Sequence, residues 1–287
     1  MENGRPARMN SEPRERSDYN DRQIEAARRV LVDLGQVLGP FKDCFVIVGG
    51  WIPELLIPQN EETHVGSIDV DIALNIKRLN DGRYADLLKS LLNTKRYRQS
   101  EQPFRLVAEV DLEDGGPPIQ VDIDFLKPPH PRTQKNNPKL TRGFRPLDAT
   151  GCQAAFENPQ RIDISGRMIK GQCNKVTHAV SSIADFLIMK SYALANRDKP
   201  KDAYDICYCL DYYPDGIGEL ALNWRRRKEN KDVSNSIKIL EEKFSAVDAY
   251  GPQQVVEFHN SPHPEERDAQ ARRAYELVQE FLRQVQQ

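Results

Sequence analysis

The sequence predicts an α+β fold in which a mixed β-sheet flanked by helices is followed by a C-terminal helical domain. Up to about residue 180, short apolar runs of strand length alternate with longer amphipathic segments of helical spacing. Beyond that point the periodic segments have helical spacing. The 287 residues suffice for two such regions, so we expect an α/β domain at 21–180 and a helical domain at 181–287, after a disordered leader at 1–20.

The first elements are a helix and a buried strand. Residues 21–38 repeat apolar side chains on one helical stripe, and the Gly39-Pro40 pair ends the helix. The run CFVIVGG at 44–50 predicts a strand that ends in a glycine pair. The WIPELLIP segment that follows predicts one or two helical turns before its second proline.

The middle of the chain predicts further strands around one helix. The turn residues EDGGPP predict a hairpin between the strands at 104–112 and 119–126. The remaining elements follow from period-two and helical patterns. We expect strands at 67–75, 104–112, 119–126, 160–169 and 175–180, and helices at 81–94, 182–196, 200–212, 218–229, 233–244 and 264–287.

Charge and composition exclude several classes of protein. The net charge of −2 argues against a uniformly basic nucleic-acid binder. A basic stretch at 127–145 suits a nucleic-acid backbone, although a solvated charged loop explains it equally well. No apolar run reaches the ~18 residues that a membrane span needs, and the N-terminus lacks the apolar core of a secretory signal. The five cysteines, without C-x-x-C spacing, predict reduced thiols in a cytoplasmic protein.

Two strands carry pairs of aspartates with strand alternation. Asp69 and Asp71 share one face of their strand with Ser67, and Asp122 and Asp124 share one face of theirs. If the strands are neighbours, up to four carboxylates gather in one patch. Neither strand adds Lys or Arg to that face, and like charges opposite one another destabilise a sheet. The patch therefore predicts a bound divalent cation, with a solvated polar sheet face as the alternative.

The ligand chemistry points to Mg²⁺ or Mn²⁺. Oxygen-only ligand sets favour these ions over zinc. Residues i and i+2 of a strand lie about 6.6 Å apart. That separation suits carboxylates that reach around two ions about 3.5–4 Å apart, as in phosphoryl-type displacements.

Two further features favour a polyphosphate ligand. Gly49 and Gly50 at a strand end let backbone N–H groups approach phosphate oxygens, although many glycine pairs only turn the chain. Lys190 occupies the apolar stripe of its helix and Arg197 follows one heptad later, so both cations need an anion or a route to water. The next helix carries Asp202 and Asp205, which could orient these cations. Asp202 could equally favour the helix N-terminus.

The order of these motifs resembles a known superfamily. A glycine pair, Ser-x-Asp-x-Asp and a later strand aspartate are similar to the nucleotidyltransferases that share the DNA polymerase β-like palm. Lys-x6-Arg followed by Lys-Asp-x-x-Asp resembles, more narrowly, the AbiEii-type nucleotidyltransferase toxins of toxin–antitoxin and abortive-infection systems. The resemblance spans about residues 44–212. The proline-rich segment between the glycines and the aspartates is longer than is usual in the family.

The resemblance implies roles for individual residues. It implies a palm fold, metal binding by Asp69 and Asp71, and a third carboxylate from the later strand. We favour Asp124 there, because it precedes the apolar pair Phe125-Leu126, and keep Asp122 as the alternative. The resemblance also implies that Gly49, Gly50 and Ser67 hold triphosphate and that Lys190, also counted among the catalytic residues, contacts phosphate. Arg197 and Asp205 complete the predicted nucleotide site on the helical spacing.

The expected activity is metal-dependent transfer of a nucleoside monophosphate from an NTP to an acceptor hydroxyl. The resemblance implies that the acceptor is an RNA 3′ end, tRNA included, and that a cognate antitoxin is a partner. No membrane partner is expected. Transfer to a small molecule or to a protein hydroxyl is the nearest alternative, and a non-catalytic binding module is the alternative from another class.

Overall fold

An eight-stranded mixed sheet forms the first part of the chain in the computed structural model, which describes residues 12–58, 62–79, 81–129 and 143–287. Its strand order is β3-β4-β5-β2-β1-β8-β7, and β6 pairs with β5 beside this path. The strands are β1 Phe45–Val48, β2 Val70–Leu74, β3 Tyr97–Gln99, β4 Arg105–Val110, β5 Ile119–Lys127, β6 Leu147–Asp148, β7 Gln160–Arg167 and β8 Cys173–Val180.

Three neighbouring pairs in this sheet are parallel. These are β2 with β5, β1 with β8, and β5 with β6. The other pairs are antiparallel, including the hairpin of β4 and β5 that the EDGGPP turn predicted. The sheet is therefore mixed, and the parallel β2–β5 pair lies at its centre.

Helices flank the sheet, and after the last strand the chain continues as consecutive helices. The predicted α+β class, with a C-terminal helical region after the sheet, is confirmed. The helices are α1 Asp21–Val37, α2 Trp51–Leu56, α3 Asp81–Asn93, α4 Ile183–Asn196, α5 Lys201–Tyr212, α6 Gly216–Arg226, α7 Lys231–Lys243, α8 Tyr250–His259 and α9 Pro264–Gln286.

The two faces of the sheet bury different side chains. Ile47, Ile72 and Ile123 belong to the large apolar core that also contains the stripe of α1. The opposite face carries a small apolar cluster that includes Val48 and Ala73. The second face is the one on which the strand aspartates lie, so the acidic patch borders a small core rather than interrupting the large one.

Three short elements were absent from the sequence-based expectations. Strand β3 has only three residues, and two of them are exposed, so alternation cannot reveal it. Strand β6 has two exposed residues. Helix α8 has Pro252 in its first turn, where proline is tolerated, and ends at Asn260 in the left-handed conformation.

Part of the expected leader makes defined contacts. Arg14 forms ion pairs with Asp198 at 3.0 Å and with Glu257 at 2.7 Å. Tyr19 is buried, and its ring packs edge-on against Phe258. Residues 12–20 therefore lie against the protein, whereas 1–11 fall outside the described residues.

Other expectations concern the surface and the thiols. All five cysteines lie in the described ranges and are free. Most of the basic stretch at 127–145 falls outside the described residues. At its start, Lys127 forms an ion pair with Asp148. Within the described part of the chain, no helix combines the length and apolarity required to cross a bilayer.

Candidate active site

The predicted acidic side chains meet where strands β2 and β5 run side by side. The two strands are parallel, and their register places Asp71 opposite Asp124. Asp69 immediately precedes β2, and Asp122 lies two residues before Asp124 on the same face of β5. All four carboxylates line one cavity. The alternation that predicted one shared patch thus corresponds to a real juxtaposition.

Asp69 is held in place by its neighbours. The indole Nε1 of Trp51 donates to the Asp69 carbonyl oxygen at 2.8 Å, and Ser67 Oγ donates to Asp69 Oδ1 at 2.6 Å. Burial alone would raise the pKa of Asp69, but the ammonium groups of Lys199 and Lys201 and the Ser67 hydrogen bond lower it below its ordinary value. Asp69 is therefore a stable anion at neutral pH.

Asp71 has the opposite electrostatic character. Burial, followed by repulsion from Asp69 and Asp124, raises the pKa of Asp71 to about 7. None of the described residues gives its carboxylate a hydrogen bond or an ion pair. Among the described residues, the ionised Asp71 thus has no cation in direct contact, although the charges of Arg197 and Lys199 partly offset the rise in its pKa.

The glycine pair is required for close approach to these acids. Gly49 has φ +75°, and a Cβ atom built there would lie 1.9 Å from Asp71 Oδ2. A Cβ atom on Gly50 would lie 2.6 Å from Ser67 Oγ. Both positions exclude larger residues, Gly49 through backbone conformation and space, and Gly50 through space. Gly50 lines the cavity, at the start of α2, whereas Gly49 lies behind Asp71.

The cations of the helical region converge on the same cavity. Lys190 Nζ lies 2.6 Å from Asp202 Oδ1 and 2.7 Å from Asp205 Oδ2. Arg197 Nε lies 2.7 Å from Asp202 Oδ2. The pairing of α5 acids with the two cations, which the spacing suggested, is present. Arg197 follows the last residue of α4 in extended conformation, so it reaches Asp202 from outside the helix.

Asp205 lies beneath the cavity rather than in its wall. Its side chain is fully buried, and it also accepts a hydrogen bond from Lys201 Nζ at 2.8 Å. His64 Nε2 lies 2.9 Å from Asp205 Oδ1. Burial and the charge of Lys201 lower the pKa of His64 to about 4, so the ring is neutral and donates to the carboxylate. Asp205 therefore contacts the cations Lys190 and Lys201 and does not itself line the cavity.

Two lysines in the cavity wall were absent from the predicted site residues. Lys199 and Lys201 flank Pro200, and both side chains reach the cavity that the aspartates line. Lys201 is 3% exposed, and a Cβ atom on Gly50 would lie 3.2 Å from its Nζ. Lys201 is the lysine of the Lys-Asp-x-x-Asp motif, to which no role was assigned, and the signal for Lys199 is the density of charge in RDKPKD, which does not distinguish a site from a solvated turn.

Arg105 is the third missed residue, and it corrects one premise of the sequence analysis. Neither aspartate strand has a basic residue on its polar face, but the neighbouring strand β4 does. Arg105 Nε and Nη2 donate to Asp124 at 2.6 and 2.8 Å, and Nη1 donates to Asp122 at 2.6 Å. Two of the four carboxylates therefore share one positive charge supplied by the protein itself. This pairing depends on the β4–β5 register, which places Arg105 opposite Asp124.

The cavity between the acids and the cations has a volume of about 630 Å³. That size lies within the usual range for small-molecule and cofactor sites. Its lining combines acidic and basic side chains, and the N-terminal segment contributes Glu12, Asp18 and Tyr19 to it. The lining includes Gly50, Ser67, Asp69, Asp71, Asp122, Asp124, Arg105, Lys190, Arg197, Lys199 and Lys201.

The acids supply the chemistry of a divalent-ion site without its complete geometry. In the described ranges, no three His, Cys, Asp or Glu side chains are arranged to hold a metal ion as they stand. Asp69 and Asp71 form no ion pair with any other described residue, and their carboxylate oxygens suit Mg²⁺ or Mn²⁺. The third carboxylate, Asp124, is turned to Arg105. The residues thus fit a divalent ion by charge and donor type, with Arg105 as the competing cation.

Comparisons with known proteins leave the family open. No family model matches the chain, and no curated protein matches it. The fold is similar to an antigenic nucleotidyltransferase-like protein from Paracoccidioides brasiliensis, with a TM-score of 0.43 and 16% identity over 76% of this chain and 88% of that one. It is also similar to JHP933 from Helicobacter pylori, with a TM-score of 0.41 and 12% identity over 93% of this chain and 94% of that one.

Proposed function

We propose that the protein is a metal-dependent nucleotidyltransferase that transfers a nucleoside monophosphate from an NTP to an acceptor hydroxyl. One observation carries the proposal. The parallel β2–β5 register joins Asp71 to Asp124 in a cavity whose lining also contains Lys190, Lys201 and Arg197. Carboxylates for divalent ions beside cations for a polyphosphate are the two requirements of phosphoryl-type transfer.

The chain's own residues have distinct parts in this reaction. Lys190, Lys199 and Lys201 attract the triphosphate, and Gly50 with Ser67 borders the position at which its oxygens enter. The acceptor oxygen forms a bond to the α-phosphorus, the bond from that phosphorus to the bridging oxygen breaks, and pyrophosphate leaves. The hydroxyl proton passes to a carboxylate oxygen of Asp124, whose pKa burial raises above its ordinary value.

Asp69 and Asp71 would hold the divalent ion, with Asp124 as the third carboxylate. The chemistry that Mg²⁺ or Mn²⁺ would supply there is that of a Lewis acid, which would lower the pKa of an attacking hydroxyl and offset negative charge on the triphosphate. Asp202 and Asp205, which both pair with Lys190, would keep this cation in place in the cavity lining.

The resemblance to AbiEii-type toxins extends the proposal to the acceptor. It makes an RNA 3′ end, tRNA included, the first acceptor to test, and it makes a cognate antitoxin the first partner to seek. The residues of the cavity support the binding of a nucleotide and give no support to a particular acceptor.

The activity test uses the purified full chain with total RNA, Mg²⁺ and each α-labelled NTP in turn. We expect a labelled RNA band with the natural chain and none with Asp69→Ala, because that change removes an ion ligand. Asp163→Ala is the matched control: Asp163 pairs with Lys175 on the surface of β7 and should leave labelling unchanged. Full labelling by Asp69→Ala would refute the mechanism. A panel of small-molecule and protein acceptors identifies a different acceptor class.

A nucleotide-binding module without catalysis is the second candidate. It is favoured by the pairing of Arg105 with two of the four aspartates, which lets the patch persist without an ion. Calorimetric binding of ATP in the presence of a chelator separates the two functions. Binding that needs no divalent ion and survives Asp69→Ala, together with no transfer to any acceptor, would favour the module.

A further inference from the structure

The guanidinium of Arg105 lies across two carboxylates that have different neighbours. Two of its nitrogens donate to Asp124, which lies opposite Asp71 on the adjacent strand. Its third nitrogen donates to Asp122, at 2.6 Å. The guanidinium therefore holds one carboxylate next to the proposed ion ligands and a second one farther along β5. The side chain is 30% exposed, so the cavity gives it room to shift.

A divalent ion at Asp69 and Asp71 would compete with this guanidinium. Both are cations, and both would draw on the oxygens of Asp124, which already accept two hydrogen bonds. Asp122 provides a second carboxylate for the guanidinium of Arg105. A guanidinium that keeps its bond to Asp122 while it releases Asp124 remains paired, and Asp124 becomes free for the ion.

We propose that Arg105 is a positioning residue that holds Asp124 in the ion-free protein and moves onto Asp122 when a divalent ion binds. This inference rests on the proposed function and adds a division of labour between the two β5 aspartates. Asp124 is the ion ligand, and Asp122 is the carboxylate that pairs with the guanidinium when the ion is bound. It also gives a reason why this strand carries two aspartates where one would complete the ion site.

The first test measures binding of Mn²⁺ to the full chain by titration calorimetry and by the electron paramagnetic resonance signal of the free ion. Arg105→Gln removes the competing charge and should tighten Mn²⁺ binding about tenfold, which corresponds to one charge-assisted hydrogen bond. Arg83→Gln is the matched control, because Arg83 makes a two-pronged pair with Asp43, and neither residue lines the cavity. It should leave binding unchanged. Unchanged or weaker binding by Arg105→Gln would refute the competition.

The second test asks whether Asp122 acts through Arg105. Asp122→Asn removes the second carboxylate partner of Arg105. The ion must then displace a guanidinium that has no other carboxylate to pair with. We expect this change to weaken Mn²⁺ binding at least about threefold more in the natural chain than in the Arg105→Gln background. Equal weakening in both backgrounds would mean that Asp122 contributes only its charge, and the division of labour would be wrong.

A further variant and the behaviour of the natural chain distinguish the possible outcomes. Arg105→Lys retains the charge but not the two-pronged geometry, and it should give an affinity between those of the natural chain and Arg105→Gln. It also replaces the glutamine variant if that variant does not fold, as judged by circular dichroism. If the natural chain binds no Mn²⁺ with or without ATP, the proposed function itself fails. If it binds and Arg105→Gln changes nothing, only the role of Arg105 fails.

Discussion

The substitution Asp71→Asn should make the ion-free protein more stable while it removes an ion ligand. Asp71 ionises near its ordinary value of 3.8 in the unfolded chain but at about 7 in the folded one. Between these values the folded state binds more protons, so the free energy of unfolding falls as pH rises through this window. Asparagine cannot ionise, so the variant escapes this loss.

The magnitude follows from the shift. The full displacement of the Asp71 pKa corresponds to about 4 kcal/mol at ~1.4 kcal/mol per unit, and about 2.5 kcal/mol of it falls between about pH 5 and about pH 8. The carboxylate lines a cavity, and water there lowers the cost of ionisation. We therefore expect Asp71→Asn to gain about 2 kcal/mol of stability over the natural chain between these two pH values.

The assay is urea unfolding of both proteins at each pH, with a chelator present. Asp163→Asn is the control with a pKa shift of the opposite sign, because hydrogen bonds from Thr177 and Lys175 lower the pKa of Asp163. Because this pKa lies below its ordinary value of 3.8, Asp163 is ionised in both the folded and the unfolded chain across this range, so the stability difference between Asp163→Asn and the natural chain should be the same at both pH values. In a second series without the chelator, added Mn²⁺ should stabilise the natural chain more than Asp71→Asn, because the ion binds the folded state. A stability difference for Asp71→Asn that is identical at both pH values would refute the electrostatic account of this carboxylate.

Two other substitutions test the packing around the cavity. Gly49→Ala should lower the free energy of unfolding by more than about 2 kcal/mol, because the new Cβ atom meets a carboxylate oxygen at a positive φ. Gly115→Ala has a similar φ and open space, so it should cost about 1 kcal/mol, and equal costs in urea unfolding would contradict the contact. Lys190→Met leaves Asp202 and Asp205 buried with one cation fewer and should cost about 3–5 kcal/mol, whereas a loss below about 1 kcal/mol would show that water reaches the cluster.

Local patterns were informative about the elements that form the site. Strand alternation placed Asp69 with Asp71 and Asp122 with Asp124, because the side-chain period of a strand is independent of its neighbours. Helical spacing placed Lys190 on an inward face, where the structure has it 7% exposed. The predicted helices and longer strands are present for the same reason. The AbiEii resemblance and the bound metal stay predictions.

Pairing between distant segments was beyond the sequence. Arg105 and His64 reach the cluster from a different strand and from a loop, 19 and 141 positions away from their carboxylate partners. No local pattern marks such residues, because a cation near a strand end and a lone histidine are ordinary surface features in most chains. Strands β3 and β6 were missed for a related reason, since two or three residues form a strand only when a neighbour supplies the hydrogen bonds.

The sequence by itself determined which side chains share a face, because that property repeats every two or about 3.6 residues along the backbone. The tertiary structure decided which faces meet, and with them the partner of each charge. The β2–β5 register brings the acids together, and the β4–β5 register sets Arg105 against two of them. Register depends on contacts summed over the whole sheet, so no local pattern reveals it. For this reason the sequence predicted four aspartates at a metal site, whereas two of them are paired with Arg105 in the fold.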